Sequence, residues 1–146
     1  MKNILTTCIV AVLVVSGCTK QSSDPTPVMN ATINSQPFSA LGPGITATTK
    51  GSMTTITGQN AVNPGSTTNT TIALTMPVDT GTFVIGGIAN AILISSSTGV
   101  TGAFASSGTI VVTNKTASIL QGTFNFTCED ANRNAVVTTG QFTAKY

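Results

Sequence analysis

Histidine is missing from all 146 residues, and so is tryptophan. Without histidine the chain lacks the side chain that titrates near neutrality in its unperturbed state. It also lacks any Ser-His-Asp arrangement and the commonest zinc ligand. Charge is scarce too, at 7% of residues. Lys50, Asp79, Lys115, Glu129, Asp130, Arg133 and Lys145 are scattered, with no basic stripe, so nucleic acid is excluded as a partner. The acids beyond residue 28 are only Asp79, Glu129 and Asp130. A glycosidase needs two facing carboxyl groups, about 5–9.5 Å apart. Glu129 and Asp130 are neighbours and point apart, so a hydrolase would require Asp79 to join one of them. Aromatic rings are few, with six Phe and a single Tyr, Tyr146, which leaves little to stack sugars.

What is abundant is threonine, 28 residues of it, 26 of them after Cys18. Thr is β-branched and stiff at χ1, so it suits a pleated surface and disfavours helix. Here it takes the place of Lys and Glu on the solvent side of strands. The hydrophobic fraction of 40% supports a packed core. No helical period follows Cys18; alternation dominates, broken by Gly, Pro, Asn and Asp. Strands are expected at 29–33, 37–40, 45–50, 53–59, 69–76, 82–85, 88–94, 100–105, 109–113, 117–128 and 136–146. Gly86-Gly87 reads as a bulge or strand end, because no Lys-Ser/Thr follows to make a phosphate loop. Ile88 to Ile94 is apolar on both faces and predicts a strand covered on both sides. The pattern is all-β: an antiparallel β-sandwich of about ten short strands, with a small β-barrel as the alternative.

The last hairpin allows a sharper expectation. Leu120, Gly122, Phe124, Phe126 and Cys128 share one face. Val136, Thr138, Gly140, Phe142, Ala144 and Tyr146 share another. A loop over 129–135 sets Cys128 opposite Val136 and Phe126 opposite Thr138. It also sets Phe124 opposite Gly140 and Gly122 opposite Phe142, so each glycine lies beside a ring that fills its space.

The N-terminus carries an address. Lys2 is followed by a mostly apolar run from Ile4 to Val15. Twelve helical residues rise only about 18 Å, too short for a hydrocarbon core of about 30 Å. The run fits the h-region of a signal peptide. Small residues then precede a cysteine, and Val15-Ser16-Gly17-Cys18 resembles the lipobox of bacterial lipoproteins. The resemblance implies removal of residues 1–17 and a diacylglyceryl thioether on Cys18. One acyl chain holds a protein only marginally, at about 0.8 kcal/mol per buried CH₂, and two or three hold it durably. Thr19 rather than Asp follows the cysteine, which favours the outer membrane. Residues 18–28 then read as lipidated Cys and flexible tether (TKQSSDPTPV after the cysteine), and residues 29–146 as a single domain. With Cys8 removed and Cys18 lipidated, Cys128 stands alone and is expected to be a buried, inert thiol.

A second resemblance covers the domain itself. MNATINSQPFSA at its start, GTFVI and SGTIVVTN inside, and ILQGTFNFTCEDAN with VVTTGQFTAKY at its end resemble a domain-of-unknown-function family of lipid-anchored proteins in Bacteroidota. That family's opening hairpin usually carries Gly where this chain has Ser35. The resemblance implies a β-rich exported domain and assigns no reaction.

One metal pattern is present in weak form. Asp130-x-Asn132-x-Asn134 resembles the start of a calcium loop, but position six is Ala135 and position twelve is Gln141. Asp and Asn favour turns in their own right. No cofactor and no catalytic residue is expected. The sequence is that of a lipid-anchored cell-envelope protein with a non-catalytic binding or scaffolding role. Its partners would be the membrane, through Cys18, and an envelope protein. The alternative is a glycan- or small-ligand-binding surface lipoprotein.

Overall fold

Threonine and alternating aliphatic residues produce the pattern they predict. The computed structural model describes residues 24–60, 69–95, 100–130 and 133–146. The signal segment, Cys18, the start of the tether and Asn132 lie outside the described residues, as does most of the expected 60–67 loop and 95–99 turn. The strands are β1 (Val28–Ile33), β2 (Gln36–Leu41), β3 (Ile45–Lys50), β4 (Met53–Gln59) and β5 (Thr70–Pro77). They continue with β6 (Gly81–Val84), β7 (Asn90–Ser95), β8 (Val100–Lys115), β9 (Ile119–Asp130) and β10 (Arg133–Lys145).

All ladders among the ten strands are antiparallel and form one sheet. Its order is β2-β1-β10-β9-β8-β7-β5-β4-β3, with β6 alongside β8. Of the two arrangements expected, the barrel-like one is found. The sheet curls until β2 lies against β4 and β3 against β10. The edge strands β2 and β3 are joined by a single 3-10 turn, Gly42–Gly44.

The curl is set by β8, which the sequence divides in two at Ser106-Ser107-Gly108. It is one strand of 16 residues. Its first part pairs with β7, and its second with β6 on one side and β9 on the other. Between them the register with β9 shifts at Ala105/Ser107. The buried face changes parity there, from Ala103 and Ala105 to Ile110 and Val112. Gly108, at φ +141°, permits the bend, and a Cβ there would lie 2.6 Å from the Phe126 backbone.

A second bulge corrects the expected hairpin. Cys128 faces Ala135 and Phe126 faces Val137, not Val136 and Thr138. The register shifts between Val137 and Gly140, after which Phe124 faces Gly140 and Phe142 faces Gly122 as expected. Strand β9 runs to Asp130 and β10 starts at Arg133, so the expected seven-residue loop is mostly strand. Thr139, at φ +49°, carries the extra residue. Its Oγ1 lies 3.1 Å from that of Thr32 on β1, where the ladder shifts as well.

The interior is a continuous apolar cluster drawn from both halves of the sheet, with Met29, Ile56, Leu74, Leu93, Ile110 and Phe126 fully buried. At about 25 cal/mol per Å² of apolar surface removed from water, this burial is the main stabilising term. The outside is laced with threonine hydroxyls. Thr55 and Thr75, directly opposed on β4 and β5, have Oγ1 atoms 3.0 Å apart.

Candidate functional site

The acids singled out from the sequence do not converge. Asp79 lies in the turn before β6, where its Oδ1 accepts from the Thr80 N–H at 2.9 Å and stands 3.8 Å from Lys115 Nζ. Gly81 aligns with Val112 on β8 and through it with Gly122 on β9. Glu129 is a further seven residues along β9, about 23 Å at strand spacing. Asp79 and Glu129 therefore sit at opposite ends of the sheet and share no cleft.

Of the calcium-like pattern, Asn132 lies outside the described residues, and Asp130 and Asn134 sit on neighbouring strands. Asn134 lies in β10 opposite Glu129, and Asp130 pairs with Arg133 across the hairpin end. The backbone oxygen of Asn134 accepts from Asn34 Nδ2 at 3.4 Å. Among the described residues no group of three or more Asp, Glu, Cys or His side chains is placed to hold a metal ion.

Cys128 is fully buried, with its thiol 3.6 Å from the carbonyl oxygen of Ala103. Burial pushes its pKa up to about 11, and a backbone hydrogen bond at Leu93 offsets part of the rise. A thiol so placed is neither nucleophile nor metal ligand at neutral pH.

Two surface features remain. The first is an apolar row on the outer face of the sheet. Ala73 on β5 faces Ile92 on β7, which faces Phe104 on β8. Ile94 extends the row along β7. Phe104 is 64% exposed and Ile94 47%. Strand β7 is therefore central in the sheet, yet Ile94 is not covered as the sequence leads one to expect. The remaining rings are mostly core, with Phe38, Phe124, Phe126 and Phe142 all buried. Phe104 points outward because it alternates with the buried Ala103 and Ala105, a parity the sequence already carries.

The second feature is an open groove of about 480 Å³ at the end of the sheet where the chain enters. Asp24, Asn114, Thr116, Ser118 and Gln121 line it. Asn114 Nδ2 donates to Gln121 Oε1 at 2.9 Å, and Tyr146 Oη donates to the Thr116 carbonyl at 2.9 Å. Pro25, Ala117 and Ile119 complete the lining, so its walls are part apolar and part polar, with Asp24 the carboxylate among them.

Set against protein-family models, curated proteins and solved structures, the chain matches none.

Proposed function

We propose that this chain is a lipid-anchored, non-catalytic binding domain of the bacterial outer membrane, holding a protein partner within an envelope assembly. The address is supported by Val15-Ser16-Gly17-Cys18 and the tether composition after it. The observation that carries the binding role is the row Ala73, Ile92, Phe104 with Ile94 beside it. A contiguous apolar strip across three neighbouring strands is where a partner gains most by excluding water. Metabolic labelling with a tagged fatty acid tests the anchor: label on the wild type and none on Cys18→Ala is expected. Affinity purification from native membranes tests the partner. Phe104→Ser should reduce the co-purified protein about tenfold, equivalent to about 1.4 kcal/mol, with abundance and circular dichroism unchanged. Undiminished recovery removes the reading.

A glycan is the second reading, favoured by the same exposed ring, since sugars stack on aromatic faces. Phe104→Leu separates the two. A leucine keeps the apolar strip and the protein partner, but it ends stacking and releases a glycan.

A further inference from the structure

We propose that the groove-bearing end of the sheet rests on the lipid headgroups of the anchoring membrane. The opposite end, with the Asn34-Ser35 turn, Glu129 and Asn134, then points away from it. The inference rests on the lipidation of Cys18 and adds an orientation to it.

The ends are fixed by register. Val28 faces both Leu41 and Thr143, Lys145 faces Ile119, and Lys115 faces Leu120. Residues 24–28, 41–44, 114–119 and 145–146 therefore share one end. The chain is already held there before β1 begins. Lys145 Nζ is 3.1 Å from Asp24 Oδ2, and Gly42 N donates to the Pro27 carbonyl at 2.9 Å. A surface ion pair contributes little alone, but the backbone bond and the strand that follows fix the exit point. Cys18 is six residues from Asp24, a reach of at most about 21 Å. Strand β9, with 12 residues, extends about 40 Å away from that point.

The chemistry of this end matches a headgroup layer. Lys115 stands beside Asp79 and Lys145 beside Asp24, and Lys50 lies at the same end, in the hairpin next to Pro77. Between them the groove is lined by Asn114, Thr116, Ser118 and Gln121 together with Pro25, Ala117 and Ile119. A surface that mixes paired charges, polar atoms and apolar side chains suits the headgroup layer of a zwitterionic membrane.

The test uses the mature lipoprotein purified from membranes and reconstituted in phosphatidylcholine vesicles carrying a headgroup-attached quencher. A fluorophore is placed in turn through Ala117→Cys, Asn134→Cys and Thr57→Cys. Cys18 is blocked by lipid and Cys128 is buried. Quenching at 117 several-fold above that at 134 and 57 is expected. Equal quenching at the three sites overturns the proposal. So does an excess at 134, or an excess at 57, which would mean that the domain lies on the flank bearing the apolar row. A twenty-residue Gly/Ser insertion after Lys20 should bring 117 down to the level of 134; an unchanged value overturns the argument from tether length. Fatty-acid label is measured on the same samples. Absence of label sinks the anchor itself, whereas labelled protein without an end preference sinks only the orientation.

Discussion

Ser35 stands at φ +67° directly after Asn34 at φ +47°. Two consecutive left-handed residues make the hairpin turn that normally prefers Asn-Gly. Asn tolerates this region better than most residues, and here its side chain is employed: Asn34 Oδ1 accepts from Val136 N at 2.8 Å. Among the described residues Ser35 gains no comparable bond, and it carries the steric cost of its Cβ. Ser35→Gly should raise stability by about 1 kcal/mol, read from the shift in urea midpoint; a loss would mean that Ser35 makes a contact worth more than its strain. Cys128 gives a second prediction at this scale. Its thiol pKa rises from 9.0 unfolded to about 11 folded. The folded state therefore holds the proton more tightly. Its contribution is complete below pH 9 and is lost as pH rises through 11. The stability of wild type minus that of Cys128→Ala should fall by up to about 3 kcal/mol across that window. A difference that stays flat with pH would contradict a buried thiol, as would rapid maleimide labelling of the native protein.

At the scale of the element, the bulges decide what the sequence could and could not reveal. The Gly122–Phe142 and Gly140–Phe124 pairings were legible because size complementarity leaves few registers. A Cβ on Gly122 would lie 2.7 Å from the Phe142 ring, and one on Gly140 would lie 2.5 Å from that of Phe124. The two rings themselves are 6.4 Å apart, so the pairings form one packed unit. Nothing comparable orients Val136 and Val137. Both are valines, so either parity reads as well, and an extra residue at Thr139 leaves no trace in the alternation. Likewise Ser106-Ser107-Gly108 has the composition of a turn, and only pairing to β9 carries the strand through it. Truncation tests this directly. Phe142→Ala should cost about 3–5 kcal/mol, the range for buried Phe. Val137→Ala should cost about 1.5–3 kcal/mol, whereas Val136→Ala should stay within about 0.5. Urea denaturation of the three variants is the measurement, and equal losses for the two valines would refute the bulge. Of the candidate sites, the acids could be named from sequence but not located relative to one another. Their distance depends on the order of strands, which alternation does not encode.

For the whole molecule, the first strand and the last are neighbours. Strand β10 lies between β1 and β9, and its Phe142 and Ala144 are buried. Removing Gln141 to Tyr146 would strip β1 of its partners at Val28, Met29 and Asn30 and uncover Phe124 and Gly122. The truncated chain should not fold, seen as loss of the cooperative thermal transition. A cooperative transition in that chain would show that the two halves of the sheet are independently stable. The same adjacency governs what happens under tension. Val28 is hydrogen-bonded into the ladders of both Leu41 and Thr143, and β1 runs straight inward from the point where the tether leaves. A pull on the chain ahead of Val28 acts along the axis of β1, across two ladders whose bonds lie perpendicular to it. Those bonds share the load instead of peeling apart in turn. Single-molecule stretching from residue 18 should meet a high rupture force. Stretching across β9 and β10 from residues 130 and 133, which unzips one hairpin from its end, should meet a low one. The domain is thus built as a mechanical fastener, strongest along β1, the direction in which the proposed lipid anchor would pull it.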